Sequence, residues 1–187
     1  MRRLSVFNNV TLDGYFADAN GDMSFAHKSR ESAEWVEFTD QNASMGGILL
    51  FGRVTYDLMY SFWPTPQAKE MFPLVAERLN NGPKIVFSRT LESVTWNNTR
   101  LVKGDLAAEV RKMKQEPGPD LVILGSGSIV AQLAQAGLID EYRIALLPVV
   151  LGKGRTMFEG IRDQVPLKLV KSRVFENGAV YLQYEPA

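Results

Sequence analysis

Three short stretches carry the residue types that hold phosphate. Gly52-Arg53-Val54-Thr55 follows the apolar run Ile48–Phe51, Ser88-Arg89-Thr90 follows Lys84-Ile85-Val86-Phe87, and Gly125-Ser126-Gly127-Ser128 follows Leu121–Leu124. Glycine removes side chains from a turn, so a bulky ligand can reach backbone N–H groups. Arginine and hydroxyl side chains offer charge-assisted and neutral hydrogen bonds to a phosphomonoester. A helix that starts at such a turn adds unpaired N–H donors and the positive end of its dipole. Ile129, Val130, Leu133 and Ala134 share one helical face just past the third turn, and Gly137 sits where a helix stops. In an open α/β sheet, ligands bind beyond the carboxyl ends of the strands. If the strands run parallel, the three turns meet at one edge. They would then grip a diphosphate and a separate monoester. NADPH has that distribution and NADH lacks the monoester, so Ser88 and Arg89 are the natural partners of a 2′-phosphate.

Each stretch alone is a modest signal. Val130 stands where the dinucleotide fingerprint has its third glycine, and Asp140-Glu141 comes too early for the ribose-binding acid. A tight strand-to-helix turn that binds nothing accounts for any one of them. Three in the same structural position argue for a shared ligand.

The elements that must position these turns alternate along the chain. Leu4–Val10 reads as a strand, with Leu4, Val6 and Asn8 on one face and Ser5, Phe7 and Asn9 on the other. Asp13–Arg30 is mostly loop, long enough to cover a pocket. Glu31–Asn42 is helical, and Tyr56–Tyr60 continues a short helix out of the first turn. Pro66–Leu79 includes another helical stretch, and Leu106–Gln115 is amphipathic. Arg100–Val102 and Tyr142–Val150 are strands. Leu167–Glu176 and Ala179–Tyr184 alternate on either side of Asn177-Gly178, a hairpin signal. The pattern predicts about eight strands and four or five helices in a mixed, largely parallel sheet that ends in an antiparallel hairpin.

The chain has 187 residues, of which 45% are hydrophobic and 22% charged. That length supports one domain, residues 1–187, with a full core. Lys+Arg and Asp+Glu both number 21, so no basic field points to nucleic acid or an anionic membrane. Without cysteine, disulfides, thiolate catalysis and cysteine-bound metals are excluded. A single histidine, His27, leaves no histidine-rich metal site, so no metal is expected. No apolar run reaches the ~20 residues of a membrane span, and Met1-Arg2-Arg3 leads straight into a strand. A cytoplasmic location is expected.

Taken in order, Thr11-Leu12-Asp13-Gly14-Tyr15-Phe16-Ala17, Gly52-Arg53-Val54-Thr55-Tyr56, Lys84–Thr90, Gly125–Val130 with Gly137–Glu141, and Pro148–Gly154 span nearly the whole sequence. This ordered set resembles the dihydrofolate-reductase-like superfamily. Within it, the set resembles the reductase domain of the bacterial riboflavin-biosynthesis deaminase/reductase. The resemblance implies a three-layer α/β fold around an eight-stranded sheet, NADPH as hydride donor, and a homodimer. It also implies cofactor contacts from Gly52, Arg53, Thr55, Ser88, Arg89, Gly125, Ser126, Gly127, Ser128 and Ile129. Thr11 replaces the serine common before Leu-Asp-Gly, and the deaminase half with its zinc ligands is absent. A stand-alone reductase of this type need not serve riboflavin synthesis.

Hydride transfer needs a flat electrophile held against the nicotinamide with water kept out. Asp13, at the mouth of the first strand, is the first candidate for a proton-relay or substrate-orienting acid; a turn aspartate capping its own backbone is the competing account. Glu31, Glu34 and Glu37 are alternatives for the acid, although a solvated helix face explains them more simply. Tyr15, Trp35 and Trp63, with Phe38, could wall a pocket for a heterocycle. His27 reads as an exposed bystander, and Lys153 with Arg155 as a solvated loop that could meet a substrate phosphate. The expected reaction is reduction of a phosphoribosylaminopyrimidine. A dihydrofolate or pteridine reductase on the same fold is the second reading, and a catalytically inactive NADPH-binding protein is the third.

Overall fold

A computed structural model describes residues 1–26 and 32–187. His27 and Glu31 lie outside the described residues. Eight strands form one sheet in the order β4-β3-β2-β5-β1-β6-β8-β7. They are β1 (Leu4–Thr11), β2 (Ile48–Gly52), β3 (Lys84–Phe87), β4 (Thr99–Val102), β5 (Leu121–Leu124), β6 (Glu141–Leu147), β7 (Leu167–Val174) and β8 (Val180–Pro186). The first six run parallel, and β8 is antiparallel to both β6 and β7. The described helices are α1 (Ala33–Ser44), α2 (Arg53–Phe62), α3 (Pro66–Met71), α4 (Pro73–Asn81), α5 (Leu106–Gln115) and α6 (Gly127–Gln135).

The strand sequences explain which face each helix covers. Leu4, Val6 and Val10 of β1 pack with Val110 and Met113 of α5 and with Ile129, Val130 and Leu133 of α6. Alternation puts Phe7 on the opposite face, where it joins Trp35 and Phe38 of α1, with Phe175 and Tyr181. Leu49, Phe51 and Val86 pack under Trp63, Phe72, Ala76 and Leu79 on that same side. The result is three layers: α5 and α6, the sheet, then α1 with α2, α3 and α4.

Local chemistry sets the boundaries. Ser32, Thr65 and Asp105 cap their helices, each side-chain oxygen accepting the N–H three residues on, from Trp35, Ala68 and Ala108. The helix expected from Glu31 is described from Ala33, after the Ser32 cap. The stretch Pro66–Leu79 is two helices. Phe72 sits at φ −141° and ψ 58°, because Pro73 drives its predecessor out of the α region and lacks the N–H to continue the helix. The strand expected to reach Val150 stops at Leu147, since Pro148 cannot donate to the ladder. The hairpin turns where its sequence demands, with Gly178 at φ +82°. Among the described residues no helix is long and apolar enough to cross a membrane, and no three acidic or histidine side chains group to hold a metal.

Candidate active site

The three turns converge. β2, β3 and β5 are parallel and end at the same edge, and one cleft of about 820 Å³ runs along it. Gly52, Arg53 and Thr55 line it, as do Ser88, Arg89, Ser126, Gly127, Ser128 and Ile129. Gly125 is the exception among the expected cofactor residues: it lines a second cavity on the other side of the turn.

The hydrogen bonds divide the expected contacts into two kinds. Thr55 and Ser126 are buried, and they tie the first turn to the third. Thr55 Oγ1 accepts the Ser126 N–H at 3.0 Å, and Ser126 Oγ accepts the Gly52 N–H at 3.0 Å while donating to Leu124 O. Ser126 is thereby held in the left-handed region, at φ 55° and ψ 51°, a conformation that costs a non-glycine residue of order 1–2 kcal/mol. Asn8, 4% exposed on β1, braces the same turn: its Oδ1 accepts the Gly125 N–H at 2.5 Å and its Nδ2 donates to Gly125 O at 3.1 Å. Gly127 must be glycine, because a Cβ there would sit 2.7 Å from the Phe16 ring and 3.0 Å from Thr156 O. The turn geometry is therefore fixed by side chains that face inward. The outward-facing groups, Arg53, Arg89 and the start of α6, are left for a ligand.

Arg53 is half exposed and makes only a 3.5 Å contact with Asp57. Arg89 is exposed, and neither it nor Arg155 makes an ion pair among the described residues. Ser88 Oγ accepts the N–H groups of Thr90 and Leu91, which fixes the loop carrying Arg89. Arg155 is the residue that sequence reasoning underrated. It lines the same cleft as a third arginine, whereas Lys153 does not. Its segment pairs with the loop after β1: Arg155 N donates to Ala17 O at 2.8 Å, and Phe16 N donates to Arg155 O at 3.0 Å. Gly154 permits this, since a Cβ there would lie 2.3 Å from Ala17 O.

The second cavity, about 650 Å³, lies between the sheet and the α1/α4 layer. Trp35 and Trp63 line it, 1% and 8% exposed. Phe16 and Met23 line both cavities, so the two spaces adjoin there. Tyr15 lines neither. Asp13 also lines neither, and its carboxylate is fully engaged: it accepts from Thr11 Oγ1 at 2.6 Å, from Leu151 N at 3.1 Å and from Gly152 N at 2.7 Å. These bonds hold its pKa below the ordinary carboxylate range, with the Thr11 hydroxyl as the largest cause. The geometry of Asp13 is that of a loop clamp, not of an acid facing the cavity. Glu34 turns to the C-terminal hairpin, pairing with Arg173 at 2.7 Å and accepting the Glu176 N–H. Glu37 is exposed and takes a hydrogen bond from Gln41. The α1 residues that do line the cavity include Trp35, Thr39 and Asn42.

The sequence and the fold of the chain have counterparts. The Bacillus subtilis (strain 168) protein YyaP, itself uncharacterized, is 30% identical over 187 residues, covering 98% of this chain and 94% of YyaP. The Thermotoga maritima diaminohydroxyphosphoribosylaminopyrimidine deaminase/5-amino-6-(5-phosphoribosylamino)uracil reductase superposes with a TM-score of 0.69 at 16% identity. That match covers all of this chain but 57% of the longer protein. Dihydrofolate reductase from Enterococcus faecalis, solved with NADP(H), superposes with a TM-score of 0.63 at 16% identity, covering 98% and 96%. The fold is thus the expected dihydrofolate-reductase-like one. The family model for the RibD C-terminal domain matches residues 2–181, and the chain belongs to that family.

Proposed function

We propose that this protein is an NADPH-dependent reductase of the riboflavin-reductase type, acting on a flat heterocycle. One observation carries the reading: the three turns and three arginines line a single cleft that adjoins an aromatic-walled cavity at Phe16 and Met23. The cleft volume falls in the range of cofactor sites. Its chemistry fits a dinucleotide phosphate. The α6 N-terminus and Arg53 suit the pyrophosphate, and Ser88 with Arg89 suits a 2′-phosphate. Arg155 adds positive charge from the facing loop. NADPH bound there supplies hydride chemistry. The chain's own part is to hold it, to seat the substrate beside Trp35 and Trp63, and to close the junction to water with Phe16 and Met23. The folate reading is the weaker one, because among the described residues no α1 carboxylate lines the substrate cavity.

The test is a fluorescence titration of the purified protein with NADPH and NADH, repeated on Arg89→Ala. NADPH should bind much the tighter, and Arg89→Ala should remove the difference. Loss of one charge-assisted phosphate contact costs roughly 1.5–3 kcal/mol, about ten- to a hundredfold in affinity. Binding of neither nucleotide would end the reductase reading. Binding without turnover on any heterocycle tried would favour the inactive NADPH-binding protein.

A further inference from the structure

Among the described residues, Asn9 is the one on the floor of the second cavity with a buried polar atom left unpaired. It lies on β1, on the face opposite Asn8, and it lines the cavity. Its Oδ1 is buried and accepts no hydrogen bond. A buried acceptor left unpaired is destabilising, and native structures rarely keep one without a use. Asn8 provides an internal contrast. It is the same side chain, one position away, and both ends of its amide are satisfied by Gly125.

The position of Asn9 says what would satisfy it. Phe7 pairs with Leu124 in the β1–β5 ladder, so Asn9, two residues further on, lies level with the Gly125–Ser126 turn. That is the end of the cavity where it adjoins the cofactor cleft through Phe16 and Met23. The surroundings are mixed: Trp35 and Trp63 flank the space, α1 adds the neutral polar side chains of Thr39 and Asn42, and the charged residues that line the cavity include Arg3 and Arg143, both paired with Glu141. Thr39 Oγ1 donates to Val36 O, which leaves its lone pairs as acceptors.

Resting on the reductase reading above, we propose that Asn9 is a specificity-determining residue. Its Oδ1 accepts an N–H from a planar heterocycle seated against Trp35, beside the nicotinamide position. The substrate class is then a ring carrying a ring N–H donor on its edge, as a lactam does. An N-alkylated ring of the same shape would leave Oδ1 unpaired and be rejected.

The experiment uses the full chain saturated with NADPH and two probes, uracil and 1,3-dimethyluracil, the second of which carries no N–H group. Binding is read from quenching of tryptophan fluorescence, since Trp35 and Trp63 line the cavity. The wild type should bind the parent ring at least tenfold more tightly than the dimethyl ring. Asn9→Ala and Asn9→Leu should bring that ratio close to one. Asn9→Asp, which keeps the acceptor, should retain the preference. Asn9→Leu should also raise the melting temperature of the ligand-free protein, because it removes the orphan acceptor. Equal binding of the two probes to the wild type would overturn the proposal, and so would an unchanged ratio in Asn9→Ala. A lower melting temperature in Asn9→Leu with the ratio intact would make Asn9 a structural residue. Failure of NADPH itself to bind is a different result, and it removes the reductase reading on which the proposal rests.

Discussion

Asp13 shows how one carboxylate can serve a site without facing it. Its oxygens hold Thr11 on one side and the N–H groups of Leu151 and Gly152 on the other. The segment they anchor runs on to Arg155, whose backbone pairs with Ala17 and Phe16 and whose side chain lines the cleft along the three turns. The expected effect of Asp13→Asn is therefore on nucleotide binding: a severalfold weaker Kd for NADPH with kcat largely kept, measured by titration and steady-state kinetics. A collapse of kcat with Kd unchanged would return Asp13 to a role in proton transfer. The pH dependence has a definite sign. The folded-state pKa is lowered, so the clamp is fully present above the ordinary aspartate range. It is lost only as pH falls through the lower folded value. Sequence alone showed an aspartate in a turn beside the first strand. It could not show which backbone groups, ~140 residues away, the carboxylate would meet.

At the scale of elements, the sequence spoke clearly wherever the cause is local. Asn177-Gly178 made the hairpin, the apolar spacing of Leu106–Gln115 marked α5, and the glycines marked the strand-to-helix turns. What sequence missed was set by distant neighbours: Asn8 bracing Gly125, Thr55 reaching Ser126, and Arg155 swinging into the cleft. Lys84 belongs with these. It opens β3 as an apparently ordinary strand lysine, yet it is 1% exposed. Its Nζ donates to Leu79 O at 2.8 Å and to Gly82 O at 2.7 Å, capping the C-terminus of α4. It also lies 4.7 Å from the Trp96 ring. Burial, with the Arg78 charge as a second cause, lowers its pKa from 10.5 to about 8. Below pH 8 both folded and unfolded chains carry the charge, and the folded chain bears its burial cost. Between about 8 and 10.5 only the unfolded chain keeps the proton, so stability rises with pH. Relative to Lys84→Met, the wild type should gain about 1–3 kcal/mol across that window, measured by urea unfolding at pH 7.5 and pH 10.5. A parallel pH response in the two proteins would mean that Lys84 titrates normally.

At the scale of the whole molecule, one sheet end is left uncovered among the described residues. Arg173 pairs with Glu34 of α1 and lies across from Tyr181, so both point into the α1 layer. By alternation, Val174, paired with Val180, points to the other face. Val174 is 72% exposed there, and Leu167, Leu169 and Val170 of the same edge strand are between 37% and 50% exposed. A row of exposed apolar residues on an edge strand invites association. We propose that its occupant is a second copy of the chain, because a strand at the sheet's end can meet its own copy about a two-fold axis with no other surface required. Val174→Glu would set two like charges against each other across that axis and leave the monomer's core untouched. Light scattering coupled to gel filtration should find the wild type dimeric at micromolar concentration and Val174→Glu monomeric, with the unfolding temperature of the monomer otherwise preserved. A wild type that stays monomeric at high concentration, or a Val174→Glu that stays dimeric, would rule this face out as the interface. The cleft proposed to hold NADPH lies beyond the β2, β3 and β5 ends, several strands away from β7 in the sheet order. NADPH affinity should therefore be the same in the monomeric variant, and a matched loss of both would show instead that the two copies share the site.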